Sequence, residues 1–290
     1  MSFRTIVISK SSKISYKNRF LVVKQELEEK YIHLSEIDTV IIDSISVSIS
    51  TYLLKELSDS KINVIFCDEK HNPYGELLPL SRRCNTSKKI IEQTKWTIKQ
   101  KDTIWMNIVK NKILNQTILL QKINSSNFKV LSNYVKEVKI GDKTNREGHA
   151  AKIYFKDLFG KEFIRHNDDN INSALNYGYA ILLSTINKEI VNNGCLTQLG
   201  IHHKNEFNEF NLTCDLIEPF RVIIDKFVYN NLDKKFDTDY KLDLVNLFNQ
   251  RFRYNKKMYI LKDIIEMYVK NTLDCLFDIN NEYMGFIYEE

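Results

Sequence analysis

Residues 200–225 read GIHHKNEFNEFNLTCDLIEPFRVIID, and the rest of the chain is best understood outward from them. Two imidazoles, His202 and His203, come first; two carboxylates, Asp215 and Glu218, follow in a half that is set to become a helix. Residues three apart on a helix share a face, so Asp215 and Glu218 can act together. Imidazole and carboxylate suit Mn²⁺ or Mg²⁺, the carboxylates favouring the harder ion. The same letters also serve a purely structural purpose. Asp215-x-x-Glu218 matches a capping box, and acid near a helix N-terminus complements the macrodipole. Pro219 fits a first turn, where N–H groups have no helical partner. Spacing alone leaves both readings open.

Upstream, Thr144 to Ala151 (TNREGHAA) opens another helix, followed by Ile153, Tyr154, Phe155, Leu158 and Phe159 and stopped at Gly160. Thr144-x-x-Glu147 is again a capping-box pattern. His149 lies two residues beyond Glu147, about 200° around the helix, and is expected to face elsewhere. Tyr154 and Lys152 are further candidates for lining a site.

Four segments in this order, NREGHAA (145–151), DDNINSALNYGYA (168–180), LTQLGIHH (196–203) and NLTCDLIEPFR (211–221), resemble the CRISPR-associated integrase family, the first of the Cas proteins, in the branch found with type II systems. The resemblance runs over essentially the whole chain. It implies a site in which a Glu, a His and a second acid hold a divalent metal, Mg²⁺ or Mn²⁺. Those roles fall on Glu147, His203 and Glu218. His203 is preferred to His202 for its distance to the EPFR segment, and Asp215 is either a fourth ligand or an orienting group. The implied activity is metal-assisted phosphoryl transfer, in which a DNA 3′-hydroxyl attacks a phosphodiester and a spacer enters a repeat array. The implied partners are DNA, a second copy in a homodimer, and a small ferredoxin-like second Cas protein bridging two dimers. Alanine at Glu147, His203 or Glu218 is then expected to abolish joining and leave the fold intact. Two other functions use the same residues: a repair-type metal-dependent DNA or RNA nuclease with water as nucleophile, and a non-catalytic nucleic-acid scaffold in which the acids only cap helices.

Charge adds a second theme. Arg82 to Lys122 holds ten basic residues against Glu92 and Asp102, so this stretch carries +8 in a chain of net +5. Such a concentration attracts a phosphate backbone, though a solvated helical face has the same composition. Candidate DNA contacts are Arg82, Arg83, Lys88, Lys89 and Lys95, with Arg146 and Arg221 beside the candidate ligands. Arg251 and Arg253 stand in a second basic-aromatic cluster, RFRY with Lys256 and Lys257. Trp96 and Trp105, interleaved with the lysines, serve base stacking or core packing equally well.

Composition excludes several classes. The chain is 43% hydrophobic with only 8 Gly and 3 Pro, which argues for a globular, helix-rich protein. Five cysteines (Cys67, Cys84, Cys195, Cys214, Cys275) without a C-x-x-C pair speak against a zinc ribbon or disulfide framework. MSFRTIVISK reads as a strand rather than a signal peptide, and no run approaches a membrane span, so a cytoplasmic protein is expected. No Walker, G-x-G-x-x-G or G-x-S-x-G pattern appears.

The expected fold class is α+β in two domains. A small β-sandwich-like domain over residues 1–80, for dimer contact and partner docking, leads through a polar linker at 81–87 to an all-helical catalytic domain at 88–290. Strands are expected at Phe3–Ser9, Arg19–Lys24, Thr39–Asp43 and Asn63–Cys67, with a helix at Ser50–Ser58 and a short run at Glu76–Leu80. One or two helices should cover Lys88–Ile123, and further ones Phe128–Val138, Asp169–Val191, Tyr240–Phe248 and Met258–Phe277. Asp225, in the apolar helix after Pro219, is expected at the surface. His33 and His71 are isolated and are expected to be ordinary surface or loop residues.

Overall fold

The computed structural model describes residues 4–26, 28–69, 73–77, 86–278 and 280–289. Most of the linker, with Arg82 and Arg83, lies outside them, as do His71 and Cys84. The chain begins with β1 (Arg4–Ile8), β2 (Ser12–Lys17), β3 (Phe20–Lys24), β4 (Glu29–His33), β5 (Ile37–Ile42) and β6 (Val47–Ile49), then α1 (Thr51–Asp59), β7 (Asn63–Cys67) and β8 (Pro73–Glu76). These strands form two four-stranded sheets, ordered β1-β5-β7-β8 and β4-β3-β2-β6.

In the first sheet β1, β5 and β7 run parallel. The composition of β5, IDTVII, explains its central place, because a strand covered on both faces reads as a nearly continuous apolar run. Its pleat sends Val40 and Ile42 into a core shared with Ile14, Leu21 and Leu53, while Ile41 joins Ile65 and Cys67 against the helices. The first sheet is therefore a middle layer. The expected strand-rich N-terminal part is present, but β2, β4 and β6 were not read from sequence. Their segments SKISYK, EKYIH and VSI are short and polar, and pairing with neighbours rather than composition makes them strands. His33 takes no part in any site; it caps a 3₁₀ turn, accepting from Ser35 N at 3.3 Å.

The helices follow as α2 (Thr86–Gln93), α3 (Ile98–Lys122), α4 (Phe128–Glu137), α5 (Arg146–Phe159), α6 (Asn170–Asn192), α7 (Asn211–Leu216), α8 (Arg221–Tyr229), α9 (Thr238–Asn246) and α10 (Leu261–Phe277). The break between α2 and α3 is set by Thr97, whose hydroxyl forms a capping box with Gln100. Asp169 caps α6 by accepting from Asn172 N at 2.7 Å. Within α6, Gly178 admits α8, since a Cβ there would stand 2.5 Å from Ile224 Cγ2. Trp96 and Trp105 are buried, so both pack the core.

The helical part is not wholly helical. β9 (Arg251–Tyr254) and β10 (Lys257–Ile260) pair as an antiparallel hairpin. Asn255 and Lys256 turn it with φ of 49° and 66°, the left-handed pair that a two-residue hairpin turn needs. The helix expected from Met258 therefore starts only at Leu261. RFRY alternates with period two, Phe252 and Tyr254 inward and both arginines outward, a strand signal masked by the basic cluster. Among the described residues no helix is long and apolar enough to cross a membrane, and Cys67, Cys195, Cys214 and Cys275 are free.

One ionic cluster ties the middle sheet to the helices. Asp38 on β5 meets Lys188 of α6 at 2.8 Å and Lys262 of α10 at 3.1 Å. Burial alone would raise the Asp38 carboxyl, but the two ammonium groups outweigh it and hold the pKa at about 2. A depressed carboxylate contributes stability that is fully present above its unfolded pKa, roughly 4, and is lost as pH falls through the folded value. Wild-type stability should therefore fall between about pH 4 and pH 2 through this group. Asp38→Asn should cost about 3 kcal/mol at neutral pH by stranding two lysines. Urea unfolding at a series of pH values checks both, the variant showing a flatter acid limb.

Candidate functional site

α3 runs through the helical core, so its inward face must be apolar or fully partnered. Trp105, Ile108, Val109 and Ile113 meet the first condition, and Lys112, only 8% exposed, meets the second. Its Nζ lies 2.6 Å from Glu147 Oε1 and 2.5 Å from Glu218 Oε2. Two acids 71 residues apart in sequence thus converge on one buried cation.

Each acid is placed by other residues. The start of α5 is fixed by Asn145, whose side chain accepts from Gly148 N at 3.2 Å, and by the Asp142 carboxylate, which accepts from Arg146 N and Glu147 N at 2.9 and 3.0 Å. Thr144 Oγ1 makes no hydrogen bond, so the anticipated Thr144–Glu147 capping box does not form, and Glu147 is left to face Lys112. Glu218 opens a 3₁₀ turn, Glu218–Phe220, with Pro219 where no N–H is needed. Asn115, on α3, donates to the Pro219 carbonyl at 2.8 Å and pins this turn to the helix that carries Lys112. Glu218 Oε1 accepts from Arg221 Nε at 3.0 Å, and Glu218 caps nothing.

Asp215 is fully buried in α7 and also caps no helix. It accepts from the backbone N–H groups of Ile201, His202 and His203 at 2.6, 3.0 and 3.1 Å, and from His203 Nδ1 at 2.7 Å. The loop wraps this tightly because residue 200 is glycine: a Cβ there would lie 2.3 Å from the His203 carbonyl oxygen. With Nδ1–H committed to a carboxylate, neutral His203 keeps Nε2 as its free lone-pair nitrogen. His202 is used differently. Its ring stacks on Trp105 at 4.3 Å with 3° between the planes. The paired histidines are thus divided between packing and the acid cluster.

Electrostatics binds the group together. The hydrogen bond that His203 donates to Asp215 raises the His203 pKa against the opposing effect of burial, and the charges of Asp215, Glu218 and Glu147 push it the same way. All three sequence-derived residues therefore share one field. Burial would raise the Glu218 carboxyl, but Arg221 and Lys112 together hold it well below the usual carboxylate range. Glu218 Oε2 is buried and has the Lys112 ammonium as its close partner.

Among the described residues no three His, Cys, Asp or Glu side chains sit close enough to form a ligand cage. The two carboxylates close on Lys112 instead. The donor set nevertheless suits a hard divalent ion: two carboxylates that already converge on one cation and an imidazole oriented by a buried acid. Beside His203 opens a polar cleft of about 480 Å³, lined by Gln93, Lys101, Gln198, Lys204 and Asn205 among others.

Other anticipated residues divide clearly. Arg221 is committed to Glu218 and to the face of Tyr179, 4.5 Å away. Arg146 pairs with Glu137 at 2.9 Å and covers Tyr134. Lys88, Lys95, Arg251 and Arg253 are exposed, and Lys89 is half-buried. Asp225 is not at the surface. It is 1% exposed, accepts from Tyr154 Oη at 2.8 Å and from Tyr179 Oη, and burial pushes its pKa up to about 6. The apolar faces of α5 and α6 supply those hydroxyls, which a reading of α8 alone cannot see. Lys112, Asn115 and Asp142 were missed as site residues. Lys112 had a signal, since it falls four residues after Ile108 on the apolar stripe of α3.

Residues 5–243 match the family model described as CRISPR associated protein Cas1. A relative named CRISPR-associated endonuclease Cas1, from Neisseria meningitidis serogroup C (strain 8013), is 34% identical over 226 residues, covering 78% of this chain and 74% of that protein. Two solved structures share the fold. A casposase bound to integration product superposes with a TM-score of 0.79 at 19% identity, over 98% of this chain and 93% of that one. A chain of a Cas6-RT-Cas1–Cas2 complex gives 0.77 at 18% identity, over 99% of this chain, which spans 36% of that longer one. By the extent of the family match and by this identity, the chain belongs to the CRISPR associated protein Cas1 family.

Proposed function

We propose that this protein cleaves and joins DNA at a divalent metal held by Glu147, His203 and Glu218, inserting foreign segments into a repeat array as a type II-branch Cas1 integrase. The observation that carries the proposal is the meeting of Glu147 and Glu218 on a single buried cation position, with His203 oriented alongside by Asp215. The ion, Mg²⁺ or Mn²⁺, would supply Lewis-acid polarisation of the scissile phosphate. Asp215 holds the imidazole in one tautomer and rotamer, Asn115 fixes the turn that carries Glu218, and Asp142 fixes the start of the helix that carries Glu147. Burial of Glu218 excludes water from the carboxylate and strengthens its pull on a cation. The nucleophile is a DNA 3′-hydroxyl, and no side chain is needed as a covalent intermediate. The strand-rich part before residue 81 is assigned to dimer contact and to docking of a small second Cas protein, and the helices to catalysis. The names of the structural relatives, one bound to an integration product and one in a Cas1–Cas2 assembly, support DNA and a Cas2-type protein as partners. Work on the cell's own repeat array implies a cytoplasmic protein.

A labelled DNA with a free 3′-hydroxyl tests this against the hydrolytic alternative. Joined products should form with Mg²⁺ or Mn²⁺ and vanish when the substrate ends in a 3′-deoxy nucleotide; metal-dependent cutting that ignores the 3′ end would mark a nuclease instead. DNA reaches the site across the exposed lysines of α2, the turn after it and α3. Reversing Lys88, Lys95 and Lys99 to Glu should lower the slope of log affinity against log salt by about 2–3, one unit or slightly less per lost phosphate contact. An unchanged slope would mean that this face is only solvated.

A further inference from the structure

We infer that Lys112 is a built-in counterion that occupies the metal position until a divalent ion displaces it, and so sets the affinity of the site. The inference rests on the metal-site reading of Glu147 and Glu218. Its own observations are the place and contacts of one side chain. The ammonium stands 2.6 Å from Glu147 Oε1 and 2.5 Å from Glu218 Oε2, at a core position of α3 where Lys112 is only 8% exposed.

A divalent ion bound by those two oxygens would sit about 2.0–2.3 Å from each. That is essentially the volume the ammonium already fills. Two cations cannot share it, because like charges in a poorly solvated interior repel strongly. Loading therefore requires the lysine stem to withdraw, which its flexible four-carbon chain permits.

The arrangement has a structural rationale as well. Without Lys112, half-buried Glu147 and buried Glu218, the latter then paired with Arg221 alone, would face one another as like charges, an unfavourable condition. Lys112 keeps them converged and the site preformed. A residue that occupies a metal position also competes with the metal. Lys112 is thus a positioning residue that weakens divalent binding while making the empty site tolerable. Arg221, on the other oxygen of Glu218, is not in the contested volume and would remain.

The test uses the full-length protein, Mn²⁺ as probe, and calorimetric or spin-resonance titration alongside thermal unfolding. Lys112→Met in EDTA should melt below wild type. It should bind Mn²⁺ roughly tenfold more tightly or better, because a like charge no longer competes for the position, and Mn²⁺ should raise its Tm more than that of wild type. Lys112→Gln should move in the same direction and serves if the methionine variant aggregates. In wild type, reductive methylation mapped by mass spectrometry should reach Lys112 several-fold faster with saturating Mn²⁺ than in EDTA. Unchanged or weaker Mn²⁺ binding by the Lys112 variants, or equal labelling rates, overturns the inference, even where Glu147→Gln still abolishes Mn²⁺ binding and the metal reading stands. If Glu147→Gln and His203→Ala leave wild-type Mn²⁺ affinity untouched, the metal reading itself fails and this inference with it.

Discussion

Alanine at His203 is expected to abolish metal-dependent DNA joining, by about a thousandfold or more, while the protein stays folded. Losing the several kcal/mol of charge stabilisation that a bound metal provides corresponds to a factor of this size. The fold should tolerate the change because the His203 side chain is 42% exposed. Asp215, left behind, still accepts three backbone N–H groups from the 201–203 loop. A strand-transfer assay paired with a melting curve checks both halves. Normal joining by folded His203→Ala would remove the imidazole from the mechanism.

Glu218→Ala should behave differently, with the second-largest effect. It too should abolish joining, but it should also cost about 3–5 kcal/mol of stability, the usual penalty for removing one partner of a buried charge pair. Glu218 is 5% exposed and lies between Arg221 and Lys112, so its loss strands one guanidinium and leaves Lys112 with Glu147 alone. On a chain of this size the melting temperature should drop by on the order of 10 °C. The sequence alone suggested an innocuous substitution; the packing of Glu218 against two cations changes that expectation. An unaltered Tm would mean that this ion cluster contributes no net stability. For that reason His203→Ala or Glu147→Gln, and not Glu218→Ala, separates chemistry from folding.

Much of this was legible in the residues. The helix read over Asp169–Val191 is α6 to within a residue at each end, and the four segments around the site identified the family. The choice of His203 over His202 came from its distance to the EPFR segment, and the structure adds that Asp215 holds the His203 ring. Capping was a fair competitor until the structure gave α5 its own caps in Asn145 and Asp142. What stayed hidden depended on tertiary contact. Lys112 was counted as one charge in a basic run, and only its partners on α5 and the 218–220 turn reveal a core lysine. Asp225 looked exposed because its two tyrosines come from other helices. The β9–β10 hairpin was hidden by charge, since Arg251 and Arg253 suggested a patch while Phe252 and Tyr254 were pointing inward.

Glu147, His203 and Glu218 are proposed to share one divalent ion. Anomalous diffraction from a Mn²⁺-loaded crystal tests it most directly. A single strong peak is expected about 2.0–2.3 Å from a carboxylate oxygen of Glu147, one of Glu218 and a ring nitrogen of His203, with the Lys112 ammonium withdrawn from between the acids. A peak elsewhere, with Lys112 still bridging Glu147 and Glu218 at saturating Mn²⁺, would contradict it.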